Sequence, residues 1–292
     1  MRVVRLRAPG GLEQLGVEEA ERPQPGATEA LVRVHAAAIT RDELEWPVDR
    51  LPAIPSYELS GVVEEVGTGV SAVAAGDAVF ALTPFDRDGV AADYTALPAE
   101  LLVAKPRAVG HSQSAAIPLP ALTAWQGLFD HARLGAGERV LIHGAAGGVG
   151  SFAVQLARAA GAHVIGTASA ANLALVSELG AQETVDAATG FEDAVAPVDV
   201  VFDTAGGERL RRSPSLLRSG GRLVSVAEEP PEGGVYFIVE PNPDQLRSLA
   251  ERVDAGELRP APVDVVPLAS AREAFARSLE PGRRGKVVLG VA

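Results

Sequence analysis

The stretch LIHGAAGGVG, residues 141–150, constrains this chain more than any other. A short apolar run empties into a glycine-rich turn, and the pattern SFAVQLARAAGA that follows has helical spacing. A strand, a glycine turn and a helix in that order open a βαβ unit, where the backbone approaches a pyrophosphate and the first helical amides face it. Aligned on the dinucleotide fingerprint, residues 145–150 read A-x-G-x-x-G. Ala145 takes the first slot, Gly147 the pyrophosphate approach, and Gly150 the close packing of helix on sheet. Ala146, Gly147, Gly148, Val149 and Gly150 are therefore the candidate pyrophosphate contacts.

The same alternation continues along the chain. RVLIH precedes that helix, HVIGTA precedes NLALVSELGA, and VDVVFD precedes a helical segment around Arg209 to Leu217; RLVSVA and VYFIV follow. Repeated β-α units predict a doubly wound parallel sheet with helices on both faces. The first third reads differently. ALVRVHAAAI, LSGVVEEVG and DAVFAL alternate as strands between Pro, Gly and Asp, which predicts a small all-β domain. Beyond Pro243 two helical patterns, DQLRSLAERVDAG and ASAREAFARSLE, precede a last strand, GKVVLGV. The expected division is a discontinuous β-domain of residues 1–115 and 257–292, and a dinucleotide domain of residues 116–256.

The end of the second strand of the βαβ unit discriminates between cofactors. An NAD site places Asp or Glu about 20 residues after the turn, to bond the ribose 2′-hydroxyl. Here the sequence is TASAAN, residues 167–172, with no acid. A carboxylate would repel a 2′-phosphate, whereas Thr167, Ser169 and Asn172 can donate to one, so NADP(H) is the expected cofactor. That loop holds no Arg or Lys to pair with the phosphate.

Composition excludes several classes. The chain has 292 residues, 47% of them hydrophobic, enough for a substantial core. A net charge of −12 argues against a nucleic-acid surface. The absence of cysteine removes disulfides, thiolate zinc sites and cysteine nucleophiles. Histidines at 35, 111, 131, 143 and 163 lack ligand spacing, so no metal is expected. No run of about 18 apolar residues occurs, and the N-terminus lacks the apolar block of a signal peptide. The expectation is a soluble cytoplasmic protein with no membrane partner.

Five ordered stretches resemble the medium-chain dehydrogenase/reductase superfamily, specifically its zinc-free quinone oxidoreductase (zeta-crystallin-like) branch. They are LVRVHAAAIT, IPSYELSGVVEEVGTGVSAVAAGDAVF, AAIPLPALTAWQGL, HGAAGGVG and GRRGKVVL. The resemblance implies a GroES-like β-barrel domain and a Rossmann domain with the active site in the cleft between them. It also implies NADPH as cofactor and homodimers through the last Rossmann strand, here VYFIVE. Zinc-dependent members carry a cysteine at the active-site turn and a histidine in a Gly-His-Glu motif. Thr40 and Tyr57 stand at those positions, with Glu58 retained.

Chemistry without a metal suits an acceptor that is already electrophilic, a quinone or an α,β-unsaturated carbonyl. Hydride arrival leaves a phenolate or enolate oxygen that hydrogen-bond donors stabilise. Thr40 and Tyr57 are the candidate donors, Thr40 the stronger by position; the alternatives are a local backbone bond for a turn threonine and, for Tyr57, ring packing with a bond to a backbone carbonyl. Trp46 and Phe85 could wall an apolar acceptor pocket or simply pack. By the same resemblance Thr123 packs near the nicotinamide, and Ala205, Gly206, Val226, Ala227, Phe237 and Ile238 border the cofactor. The leading expectation is an NADPH-dependent quinone or enone reductase, one variant being a tailoring enoyl reductase of secondary metabolism. The competing class is an NADPH-binding structural protein of crystallin type that has lost turnover.

Overall fold

The computed structural model describes every residue except 10, 47–48, 192–194, 232 and 281–283. Two compact units divide the chain: Met1–Leu119, Pro241–Ala255 and Pro260–Ala292 form the first, Pro120–Glu240 and Gly256–Arg259 the second. In the first unit β1 (Arg2–Leu6) and β2 (Leu15–Glu19) pair as an antiparallel hairpin. β3 (Glu29–Ala38), β4 (Glu58–Val66), β5 (Ala78–Leu82), β6 (Tyr94–Pro98) and β7 (Val103–Ala104) follow, and then the short helix α1 (His111–Ala115). The apolar alternation of β3 is that of a strand paired on both sides, and its Leu31, Val32 and Val34 are fully buried.

The second unit begins within α2 (Pro118–Trp125), which runs into one π-helical turn, Gln126–His131. Strands and helices then alternate: β8 (Arg139–His143), α3 (Gly148–Ala159), β9 (His163–Ala168), α4 (Leu173–Glu178), β10 (Glu183–Asp186), β11 (Val198–Asp203), α5 (Gly207–Arg212), β12 (Leu217–Ser225) and β13 (Val235–Tyr236). They make one parallel six-stranded sheet in the order β10-β9-β8-β11-β12-β13. Strands covered on both faces read as near-continuous apolar runs, as in VLIH and VVFD. Leu141, Ile165, Val201 and Leu223 from four adjacent strands share one cluster with Phe191 and Leu210. The order reverses between β8 and β11, and in such sheets ligands bind beyond the carboxyl ends of the strands at that reversal.

The chain then returns to the first unit with α6 (Pro243–Asp254), β14 (Val263–Pro267), α7 (Ala271–Ser278) and β15 (Lys286–Gly290). β15 pairs antiparallel with β3 and parallel with β14, completing a seven-stranded sheet in the order β14-β15-β3-β4-β5-β7, with β6 also on β3. Ala271, Ala274 and Phe275 of α7 bury against Val266, Val287 and Leu289. Gly282 and Arg283, which open the C-terminal motif, lie outside the described residues.

Three sequence expectations change. The first third is not purely β, because the short helix α1 closes it. Helix α6 falls inside the 116–256 segment expected for the dinucleotide domain, yet it belongs to the first unit. Its Leu246, Leu249, Ala250 and Val253 are buried on one face, Asn242 caps it by accepting from the Gln245 amide at 3.0 Å, and Asp254 accepts from the Ala108 amide at 2.8 Å. Periodicity reveals such a face but not what covers it. The strand expected over VYFIVE is only Val235–Tyr236, because β12 ends at Ser225 and offers no further rungs.

No helix of the described residues is long and apolar enough to cross a membrane. Leu249 is fully buried, so Leu249→Ala should cost about 2–5 kcal/mol. Urea unfolding of the variant against wild type measures that loss.

Candidate active site

The turn after β8 is held from below by one side chain. His143, the last residue of β8, is fully buried, with Nδ1 3.0 Å from Thr167 Oγ1 and Nε2 2.9 Å from Ser213 Oγ. Ser213 gives its own proton to the Arg209 carbonyl at 2.6 Å. The ring must therefore donate from Nε2 and accept at Nδ1, where Thr167 donates. Burial, reinforced by the charge of Arg209, pushes His143 down to about 4, so the ring is neutral. The His143 carbonyl accepts from Thr204 Oγ1 at 2.7 Å and from the Thr204 amide at 3.3 Å, which ties the turn after β11 to the turn after β8.

Glycine is required at two points of this turn. Gly144 has φ +71°, so it, rather than Ala145, makes the tight bend; Ala145 is buried and bonds the Thr167 carbonyl. At Gly150 a Cβ would lie 2.2 Å from the Gly144 carbonyl oxygen, leaving no room for any side chain where α3 meets the turn. Gly147 is exposed and caps α3, whose first internal bond runs from the Ser151 amide to Gly147. Among the described residues the amides of Gly148, Val149 and Gly150 have no partner in the protein. Three free amides at the positive end of a twelve-residue helix, at a sheet reversal, fit a pyrophosphate.

The neighbouring residues divide by exposure. Asp203, fully buried at the end of β11, accepts from the Gly206 amide at 2.9 Å, Ser225 Oγ at 3.1 Å and the Ala205 amide at 3.4 Å. Burial raises its pKa against those bonds, and it fixes the loop that carries Ala205. The Val226 amide bonds the Asp203 carbonyl at 3.1 Å, and Ala227 is exposed beside it. Phe237 is buried against the His131 ring at 4.3 Å, Ile238 is exposed, and Thr123 is buried within α2. Ser169 and Asn172 lie together past β9, with Asn172 Nδ2 donating to Ser169 Oγ at 3.2 Å. Thr167 is the correction: its side chain points into the core and its proton goes to His143, so it cannot serve a 2′-phosphate.

The first unit assembles the other expected residues. Tyr57, fully buried, packs its ring 5.7 Å from Trp46 and 5.2 Å from Phe85, which are themselves 5.2 Å apart. Its hydroxyl has no hydrogen-bond partner among the described residues, and Arg50 donates instead to the Phe85 carbonyl. Burial raises the phenol pKa, and the neighbouring Arg50 opposes it, as a side-chain donor first and by its charge second. Thr40 is half-buried and accepts from Lys286 Nζ at 3.3 Å; the ammonium is also paired with the buried Glu58, whose second oxygen takes the Leu119 amide at 2.9 Å.

Glu43 is the residue sequence reasoning missed. It is buried and accepts from the Thr40 amide at 3.0 Å and the Ser56 amide at 3.1 Å, so it shapes the turn carrying Thr40. Burial pushes it up to about 8. An acid in the otherwise ordinary turn sequence TRDELE gave no signal of burial. Lys286 had one: it is one of only two lysines in the chain. Among the described residues no group of three His, Cys, Asp or Glu could hold a metal ion.

Two family models match this chain. One, described as an alcohol dehydrogenase GroES-like domain, matches residues 26–107; the other, described as a zinc-binding dehydrogenase, matches residues 148–248. A probable zinc-binding oxidoreductase, mitochondrial, of Arthroderma benhamiae is 33% identical over 92% of this chain and 92% of that protein. An NADPH-dependent alkenal/one oxidoreductase of Arabidopsis thaliana is 32% identical, over 96% of this chain and 77% of its own length. The solved quinone oxidoreductase of Coxiella burnetii superposes with a TM-score of 0.91 at 28% identity, covering 100% of this chain and 99% of that one.

His143 ties the site to acidity. The unfolded chain binds this proton near 6.5 and the folded one only near 4, so acidification through that window favours unfolding. The stability advantage of wild type over His143→Gln should therefore shrink by about 3 kcal/mol between pH 6.5 and 4. Paired denaturant melts across that range give the difference directly, free of the opposite trend that Glu43 contributes to both proteins.

Proposed function

This chain belongs to the medium-chain dehydrogenase/reductase superfamily, in its quinone oxidoreductase branch, and we propose that it uses NADPH to reduce quinone or α,β-unsaturated carbonyl acceptors without zinc. The observation that carries this reading is the environment of Thr40. Its hydroxyl oxygen accepts from Lys286, and among the described residues its own proton has no acceptor, so the half-exposed group can donate outward. A donor backed by a buried ammonium suits an oxygen that becomes anionic, as a reduced enone or quinone does.

When bound, NADPH supplies the hydride. The chain's own groups do the rest. The amides of Gly148 to Gly150 bind the pyrophosphate, Asp203 and His143 hold the two turns in place, and Thr40 donates to the acceptor oxygen. Trp46 and Phe85 offer an apolar aromatic wall, packed from behind by the buried ring of Tyr57. The acid-free loop around Ser169 supports NADPH over NADH. Zinc independence rests on residue types: the chain has no cysteine, and Thr40 and Tyr57 occupy the positions of the family's metal ligands.

The same reading includes a homodimer. β13 is the edge of its sheet, and Val235, Tyr236 and Ile238 are 43%, 38% and 65% exposed there. An apolar sheet edge with free backbone groups is a template for a second copy.

Purified protein should oxidise NADPH faster than NADH with small quinones or enones. Thr40→Val should lower kcat by about 100-fold while leaving NADPH affinity, read by fluorescence titration, nearly unchanged. Full activity in that variant would reduce Thr40 to a turn residue, and binding without oxidation across the acceptor panel would favour a non-catalytic role. For assembly, light scattering should give a dimer for wild type and a monomer for Ile238→Glu.

A further inference from the structure

The loop past β9 lacks a cation, yet one arrives from elsewhere in the sheet. β9 and β10 run parallel with Asp186 opposite Ala168, so the next residues in register are Ser169 and Ala187. The Ala187 amide donates to the Ala168 carbonyl at 2.8 Å, the last bond of that ladder. In a continuing parallel ladder the Ala187 carbonyl would accept next from the Ala170 amide. β9 has already ended, and Arg209 Nε donates to that carbonyl instead, at 3.3 Å. The guanidinium of Arg209 thus stands in the vacated rung, where the chain peels away at Ser169.

Its electrostatic surroundings are unusual for this acidic protein. Arg209 is half-buried, and among the described residues it pairs with no carboxylate. The nearby acids are engaged elsewhere. Asp186 takes the Ala188 amide at 3.0 Å, and Glu228 takes the Gly207 amide at 2.9 Å and pairs with Arg211 at 3.5 Å. Arg211 also pairs with Glu208 at 3.2 Å, and Arg212 lies over the Phe191 ring. With Nε anchored, the two terminal nitrogens of Arg209 remain free to form a fork. Ser169 is exposed, and its Oγ accepts from Asn172, so its own proton is available.

We propose that Arg209 is the specificity-determining cation for the 2′-phosphate of NADPH, with the Ser169 hydroxyl as a second donor. The inference rests on the reading that the cofactor is NADP(H). A half-buried guanidinium with no counter-ion among the described residues, placed beyond the strand end where a dinucleotide's ribose lies, is supplied with charge when a 2′-phosphate arrives. Sequence inspection of the loop alone could not find it, because it comes forty residues later from α5.

Calorimetric titration of 2′,5′-ADP and of 5′-AMP separates the phosphate from the rest of the nucleotide. Wild type should bind 2′,5′-ADP the more tightly. Arg209→Gln should weaken 2′,5′-ADP by about 10- to 100-fold and leave 5′-AMP nearly unchanged, and Arg209→Lys should recover part of the loss. An equal loss for both ligands in Arg209→Gln, or no loss for either, overturns the assignment while leaving the NADPH reading intact. A wild type that binds the two ligands equally overturns the NADPH reading and the role of Arg209 with it.

Discussion

The second unit depends on the neutral ring of His143. From the end of β8 it accepts a hydrogen bond from Thr167 of β9, donates one to Ser213 beyond α5, and through its carbonyl holds Thr204 beyond β11. Three segments far apart in sequence are thereby fixed at the carboxyl edge of the sheet, where the free amides of α3 open. A charged ring would have to give up the proton it accepts at Nδ1, and burial prevents that at neutral pH. Fixed donors need little reorganisation when an anion arrives, which is what makes such a site effective.

In the first unit, two buried acids play the corresponding part. Glu43, which burial keeps protonated at neutral pH, accepts from two backbone amides, and Glu58 holds the Lys286 ammonium and the Leu119 amide. Their combined effect is to present one hydroxyl, that of Thr40, with its oxygen already occupied and its proton unspent. The rings of Trp46, Tyr57 and Phe85 form a neighbouring cluster of different character, with Tyr57 buried beneath the two half-buried rings.

Much of this was legible in the sequence, because the relevant signals are local. The alternation of RVLIH, HVIGTA and VDVVFD with helical patterns predicted the parallel sheet, and the glycine turn predicted free amides at α3. What escaped was set by long-range packing. The loop pattern offers Thr167 as a donor to the 2′-phosphate, but strand parity points it at a histidine on the neighbouring strand. Ala145 takes the first glycine slot of the fingerprint, whereas the backbone turns at Gly144, a residue earlier. Glu43 stands between Asp42 and Glu45 with nothing in the sequence to single it out, and Arg209 belongs to no motif at all. Each depends on a partner between 13 and 24 residues away, which periodicity does not encode.

The way α6 is threaded limits how this protein can be taken apart. It belongs to the first unit, yet the chain after it supplies Gly256–Arg259 to the second before returning for β14. Those four residues are not ornamental: Leu258 is buried, and Arg259 exchanges two hydrogen bonds with the Gln155 side chain on α3. A gene fragment cut cleanly at residues 120 and 240 would leave Gln155 without either bond and uncover the apolar surface beneath Leu258. The nucleotide-binding half is therefore not a cassette that recombination can lift out whole, and the two halves are bound to change together over evolutionary time.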